Sequence, residues 1–260
     1  MLIYPQLATG ALSQFPIRKG RKQRTVVNTA SDGTSVKLAD PNGGMTQWEL
    51  SYENLSDSEL SALEGFFAAA EGSLNGFVFL DPAGNLLAWS NQLDNPVWEP
   101  GPMLSVTGSI ADPLGGTQAW RLANTGNGAQ AITQTIQAPS AYLYCMSVYV
   151  RAAQPTTATL LVGNSRGDRS VNTSWARIDF AASGDVAGSS MSFGLELPAG
   201  ASVDLFGPQV EAQGSPSLYK ATTTGGVYPD ARLASDSLKV TSTGVNRHSC
   251  TVNIIHADHL

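Results

Sequence analysis

The stretch "TQWELSYENLSDSELSALEGFFAAAEGS", Thr46–Ser73, changes its hydrophobic period once, and that change sorts the chain. At its start Trp48, Leu50 and Tyr52 alternate with Gln47, Glu49, Ser51 and Glu53, which marks a strand with one buried face. From Ser56 the pattern turns helical. Ser56 with Glu59 three residues on makes a capping box, which satisfies two amide groups that a first helical turn leaves unpaired. Leu55 and Leu60 are placed for a hydrophobic staple, and Leu60, Leu63 and Phe67 recur at i, i+3 and i+7. With Gly72 as the stop, the spacing predicts one helix over about 56–71.

Elsewhere the sequence reads as strand and turn. "ASDGTSVKLAD" holds the tight-turn pair Asp32-Gly33 before Val36 and Leu38, and "NGFVFLDPAGN" gives a short apolar strand closed by a turn. From about Leu86 to Tyr219 helical periodicity is gone. Strand patterns recur there with turns between them: "MLSVTGSI", "TQAWRLAN", "QAITQTIQ", "YLYCMSVYVRA", "TATLLVGN", "SWARIDFAA", "SMSFGLEL" and "SVDLFGPQVEA". That spacing predicts a two-sheet jelly roll, with residues 142–150, apolar on both parities, as a central strand. The end, "DSLKVTSTGVNRHSCTVNIIHAD", reads as two more strands, too few to fold alone. The fold expected is mainly β: a split β-sandwich domain with one helix, residues 1–85 and 221–260, carrying an inserted jelly-roll β-sandwich, residues 86–220.

Composition narrows the function. The 260 residues carry a net charge of -6, and only 14% are charged, against about a quarter in an ordinary globular protein. No region is basic overall, which argues against a dedicated nucleic-acid domain. No apolar run approaches the ~20 residues of a membrane helix, and "MLIYPQLATG" shows no basic leader before an apolar core, so neither membrane insertion nor a secretory signal is expected. Cys145 and Cys250 sit in strand-like runs, as small buried hydrophobes do.

Motifs of catalysis are missing: no phosphate loop, no H-E-x-x-H, no G-x-S-x-G and no dinucleotide-binding glycines. His256, Asp258 and His259 lie close in sequence but read as a polar chain end rather than a metal site. Asp179 with Glu196 or Asp204 would supply a glycosidase carboxylate pair, and Asp112 with Asp204 a calcium site; both are ordinary residues of strand edges and turns as well. Neither an enzyme nor a cofactor is expected. Trp98, Trp120 and Trp175, with Tyr142, Tyr144 and Tyr149, offer a glycan-stacking platform or, as aromatics on strands more often do, a packed core. Five of the fifteen Lys and Arg fall in "FPIRKGRKQRTV": Arg18, Lys19, Arg21, Lys22 and Arg24. With no aromatic interleaving, this cluster does not suit base stacking.

The order of a basic entry ("FPIRKGRKQRT"), an alternating strand, a capped helix, a Gly turn and an F-x-F strand ending in Asp-Pro resembles the N-terminal part of distal tail proteins, a minor tail protein family of long-tailed bacteriophages. "GGVYPDARLASDSLKVTSTGVNRHSCTVNIIHAD" looks like the returning strands of the same domain, and the middle region resembles carbohydrate-binding-module-like jelly rolls. The resemblance implies a virion protein, assembled in the bacterial host cytoplasm into a homo-oligomeric ring, usually of six copies, where the tail tube joins the baseplate or tip. Tail tube and hub proteins would be its partners, tail fibres or a host surface glycan would meet the jelly roll, and DNA would only pass through the lumen. Arg18, Lys19, Arg21, Lys22 and Arg24 would then face a neighbouring copy or that lumen. The simplest members of the family lack the insertion. The competing reading is a carbohydrate-binding module protein acting in host surface adhesion.

Overall fold

A computed structural model of the chain describes residues 2–40, 42–184 and 188–258. Over the described residues the chain is mainly β with one helix and β-sandwich sheets. It divides into two compact units, Met1–Leu7, Ser13–Phe79 and Tyr228–Leu260 in the first, Ala8–Leu12 and Leu80–Val227 in the second.

The first unit opens with β1 (Ile17–Lys22), β2 (Thr25–Thr29), β3 (Ser35–Ala39) and β4 (Met45–Leu55), followed by α1 (Asp57–Ala69) and β5 (Phe77–Leu80). It closes with three strands from the other end of the chain, β16 (Val227–Leu233), β17 (Val240–Gly244) and β18 (Arg247–Ala257). One sheet runs β1-β4-β18-β16-β5, with β17 pairing to β18 off this path. In the β4–β18 register Tyr52 stands opposite Cys250, Leu50 opposite Val252 and Trp48 opposite Ile254, so the alternation of both strands buries one shared face. Buried there as well are Tyr4, Phe77 and Phe79, whose rings meet edge to face with Trp48 or Phe66 at centroid distances of 4.8 to 5.2 Å.

The capping box forms as expected: Glu59 N–H donates to Ser56 Oγ at 3.3 Å, and Ser56 N–H donates to Glu59 Oε2 at 2.9 Å. Leu60, Leu63 and Phe66 form the buried stripe of α1, so Phe66 replaces the Phe67 of the sequence reading. Both positions satisfy the helical period, and the rings of Tyr4 and Phe77 decide in favour of Phe66. Gly72 follows the helix at φ 65°, and a Cβ there would run into Asp236, whose Oδ1 accepts from Ser73 N–H at 2.8 Å.

The second unit holds β6 (Glu99–Pro100), β7 (Leu104–Ile110), β8 (Ala119–Asn124), β9 (Gln130–Ile136), β10 (Leu143–Arg151), β11 (Thr156–Val162), β12 (Ser165–Val171), β13 (Ala176–Ser183), β14 (Met191–Leu197) and β15 (Ser202–Glu211). They form two five-stranded sheets, β13-β10-β15-β8-β7 and β12-β11-β14-β9-β6, in which every pairing is antiparallel. Tyr144, Met146, Val148 and Val150 of β10 face the interior with Phe193, Leu195 and Leu197 of β14; the rings of Tyr144 and Phe193 are 5.2 Å apart. Each of the eight expected strands is present. Two are additional: β6, only two residues long, and β12, whose "SRGDRSV" is too polar to show an apolar alternation.

Candidate functional site

The basic stretch Arg18–Arg24 does not make one patch. Strand alternation sends Arg18 and Lys22 to one face of β1 and Lys19 and Arg21 to the other. Lys19 Nζ lies over two rings, 5.4 Å from the centre of Trp48 and 5.5 Å from that of Tyr228. Arg18 pairs with Glu49, Arg24 Nε is 2.6 Å from Asp40 Oδ2, and Arg21 Nε is 3.9 Å from Asp258 Oδ2. Lys22 makes no ion pair among the described residues. The arginines remain about three-quarters exposed, so each pair contributes at most ~1 kcal/mol.

β2 and β3, just beyond, form a two-stranded ribbon turned by Gly33 at φ 86°. Every one of its strand residues is exposed, although it carries Val26, Val27, Val36 and Leu38. The register puts Val26 opposite Leu38 and Asn28 opposite Val36, which gives the ribbon one mostly apolar face.

The three candidate tryptophans, all in the second unit, go to three environments. Trp98 is buried, with its indole N–H donating to Trp89 O at 3.1 Å. Trp120, half-buried, donates to Asn91 O at 2.9 Å. Trp175 is half-buried under the guanidinium of Arg151, 4.8 Å from its ring centre. Tyr144 is a core residue whose hydroxyl donates to Pro139 O at 2.7 Å, and burial pushes the Tyr142 hydroxyl up to about 12. Cys145 and Cys250 are both buried free thiols, pushed up to about 12 and about 11 by burial.

The outward face of the sheet β13-β10-β15-β8-β7 holds a dense polar cluster. Pairing with β10 places Asp204, Phe206, Gln209 and Glu211 of β15 on it, opposite Arg151, Tyr149, Ser147 and Cys145. The parity changes between Phe206 and Gln209 because Gly207, at φ 63°, introduces an irregularity in the register. Without it Val210 would face outward and the carboxylate of Glu211 would enter the core.

Half of this face is sealed by the chain that follows. Glu211, 2% exposed, accepts from Ser217 N–H (2.8 Å), Ser217 Oγ–H (2.5 Å) and Gln209 Nε2–H (2.7 Å), with Lys220 Nζ at 3.7 Å. Gln209 Oε1 accepts from Lys220 N–H, Arg177 donates to Ser217 O and Ser147 Oγ, and Tyr219 covers Phe206 at 5.2 Å.

The other half is open. Asp204 lies between two arginines from the strands on either side: Arg121 Nε donates to Oδ1 at 2.7 Å, Arg121 Nη2 to Oδ2 at 3.2 Å and Arg151 Nε to Oδ2 at 3.0 Å. The hydrogen bond and charge of Asp204 raise the Arg121 pKa further. A hollow of about 260 Å³ opens here, lined by Arg121, Arg151, Ala152, Ala153, Thr173 and Asp204. Sequence reasoning named Asp204 and Trp175 but neither arginine, and no motif links four residues so far apart.

The carboxylate pairings read from sequence do not assemble. Asp179 lies on β13 and Glu196, paired with Arg166, on β14 of the other sheet. Asp112 closes its own loop by accepting from the N–H groups of Leu114, Gly116 and Gln118, chiefly the last, and these bonds hold its carboxyl below the usual range. Among the described residues no three His, Cys, Asp or Glu side chains group as metal ligands, and no helix is long and apolar enough to cross a membrane. His259 of the chain end lies outside the described residues.

No protein-family model matches the chain, and no curated protein does. Among solved structures, it is similar to the CBM22-1 xylan-binding domain of Paenibacillus barcinonensis Xyn10C, at 16% identity and a TM-score of 0.42, with 52% of this chain and 98% of that chain covered. The CBM22-1-CBM22-2 tandem domain of the same protein aligns at 19% identity and a TM-score of 0.44, over 65% of this chain and 61% of that one. The enzymatically active domain of bacteriophage CBA120 tailspike protein 4 aligns at 13% identity and a TM-score of 0.39, over 55% of this chain and 23% of that one.

Proposed function

We propose that the chain is a non-catalytic structural protein of a long phage tail, closing with copies of itself into a ring at the distal end of the tail tube, beside the baseplate or tip. The observation that supports this most is the ribbon β2–β3. An isolated two-stranded ribbon is marginal in water, yet this one is wholly exposed and carries four large apolar side chains outward. Its free edges and apolar face call for a cover, and a neighbouring copy supplies one at no cost in new partners. A ring needs a head-to-tail contact between two different patches. The exposed ribbon, reached through the basic strand β1, supplies one of them. The acidic helix and the turn after it form the complementary one, since Asp57 and Glu64 of α1 and Glu71 just beyond it are exposed and α1 has no Lys or Arg.

The test is the native mass of the purified chain at low and at high salt. A closed oligomer that loosens with salt is expected. A strict monomer at high concentration in both conditions would contradict self-assembly. The jelly roll serves at the periphery of such a ring, as a contact for host glycan or for fibre and tail proteins. A second reading, a carbohydrate-binding protein of host surface adhesion, is favoured by the open half of the jelly-roll face with its hollow beside Trp175.

A further inference from the structure

The glycan reading of the jelly roll leaves the ligand's chemistry open, and the Arg121–Asp204–Arg151 hollow narrows it. Two guanidiniums meet one carboxylate, so the cluster carries an uncompensated positive charge. Asp204 is 8% exposed, and its two oxygens hold both arginines in place. Arg121, by contrast, is about half exposed and Arg151 about a third. A guanidinium has five N–H donors. Arg121 uses two of them and Arg151 one, all on Asp204, and among the described residues the others have no partner in the chain. Beneath Arg151 lies the ring of Trp175, which fixes the guanidinium plane.

A carboxylate that served only to neutralise a charged residue would need one arginine. Here two arginines are oriented by a buried acid toward a hollow that holds no other acidic side chain in its lining. Fixed planar forks with free donors match a carboxylate in bidentate geometry. We infer that this hollow binds an acidic saccharide, with the sugar carboxylate on the free N–H groups of Arg121 and of Arg151, whose guanidinium Trp175 supports from beneath. The inference rests on the glycan reading of the jelly roll and specifies its ligand class as uronate-type rather than neutral sugar.

The experiment is a calorimetric titration of the full chain at low salt with three probes of similar length: an oligogalacturonate, a neutral xylo-oligosaccharide and a glycerol-phosphate oligomer. The oligogalacturonate is expected to bind at least about tenfold tighter than the neutral probe, the size of one charge-assisted hydrogen bond. Arg121→Gln and Arg151→Gln should each remove most of that preference, and Trp175→Ala should weaken binding while keeping it. Arg121→Lys separates geometry from charge, since it keeps the cation and loses the fork; its affinity should fall nearly as far. Both arginines are partly exposed, and a cooperative melting transition lowered by no more than about 8 °C shows that the variants fold. Equal affinity for acidic and neutral probes, or an acidic affinity untouched by Arg121→Gln, would overturn the inference and leave the glycan reading standing. Binding of the phosphate oligomer alone would overturn the carboxylate assignment. No binding of any probe would remove both.

Discussion

Asp204 and Glu211 are seven residues apart on one strand and face the same side of one sheet, but they meet opposite conditions. Around Glu211 the carboxylate is satisfied within the chain: Ser217, Gln209 and Lys220 enclose it, and Gln209 bonds in turn to the backbone of the covering segment. Around Asp204 the acid is satisfied while its arginines are not, and a hollow stands in front of them. A closed polar network fixes a chain in place, whereas an open one retains donors for a visitor. The polar half under residues 215–220 is therefore scaffold, and the Arg121–Arg151 half is the surface with chemistry left to use.

The contrast is sharpest in stability. Glu211→Ala should cost about 3 kcal/mol, because it leaves the buried Gln209 amide and the Ser217 N–H without their acceptor. The melting transition of the jelly roll should fall, and protease should cut the freed segment after β15. Asp204→Ala should cost less, about 1–2 kcal/mol, since both arginines can turn to water once released. Denaturant titration of the two variants measures the difference. If Asp204→Ala proved the more damaging, the open half would be the scaffold.

In the first unit the same substitution should do little. Glu49→Ala removes the partner of Arg18, both exposed, and should change stability by less than about 0.5 kcal/mol. A larger loss would mean that the Arg18–Glu49 pair holds β1 in place rather than leaving its side chains available.

The smallest effect expected is one of pH. Asp57 is held below its usual carboxyl range, first by its bond to His248 Nε2 at 2.6 Å and then by the N–H of Asn246. A lowered folded value means that the stabilisation is complete above the unfolded pKa of about 4 and is lost as pH falls through the folded one. Amide exchange at the start of α1 should rise over that acid window, and Asp57→Asn should flatten the response.

Local signals carried most of the architecture. The Trp48–Leu50–Tyr52 alternation, the Ser56 cap and the two-parity apolar run of β10 each follow from neighbours in sequence, so composition and spacing suffice to read them. β12 was missed because polar residues on an edge strand leave no apolar period, and β16 because Pro229 and Asp230, the latter at φ 60°, interrupt its alternation. The site failed to register for a related reason. Arg121, Arg151, Trp175 and Asp204 come from separate strands and a loop, and only strand order brings them side by side. The Arg18–Arg24 cluster erred the other way: it is contiguous in sequence, but the period of two divides it between faces and local carboxylates answer most of it.

Self-assembly through the first unit is the claim on which the structural reading depends. Its most direct measurement is the native mass of the wild-type chain beside a Val26→Asp/Leu38→Asp variant at the same low salt and concentration. Both positions are exposed, so the variant should fold with an unchanged melting transition. The account predicts a closed oligomer for the wild type and a monomer for the variant. Two chains of equal mass would contradict it, and would leave the jelly roll with its arginine-lined hollow as the chain's main business.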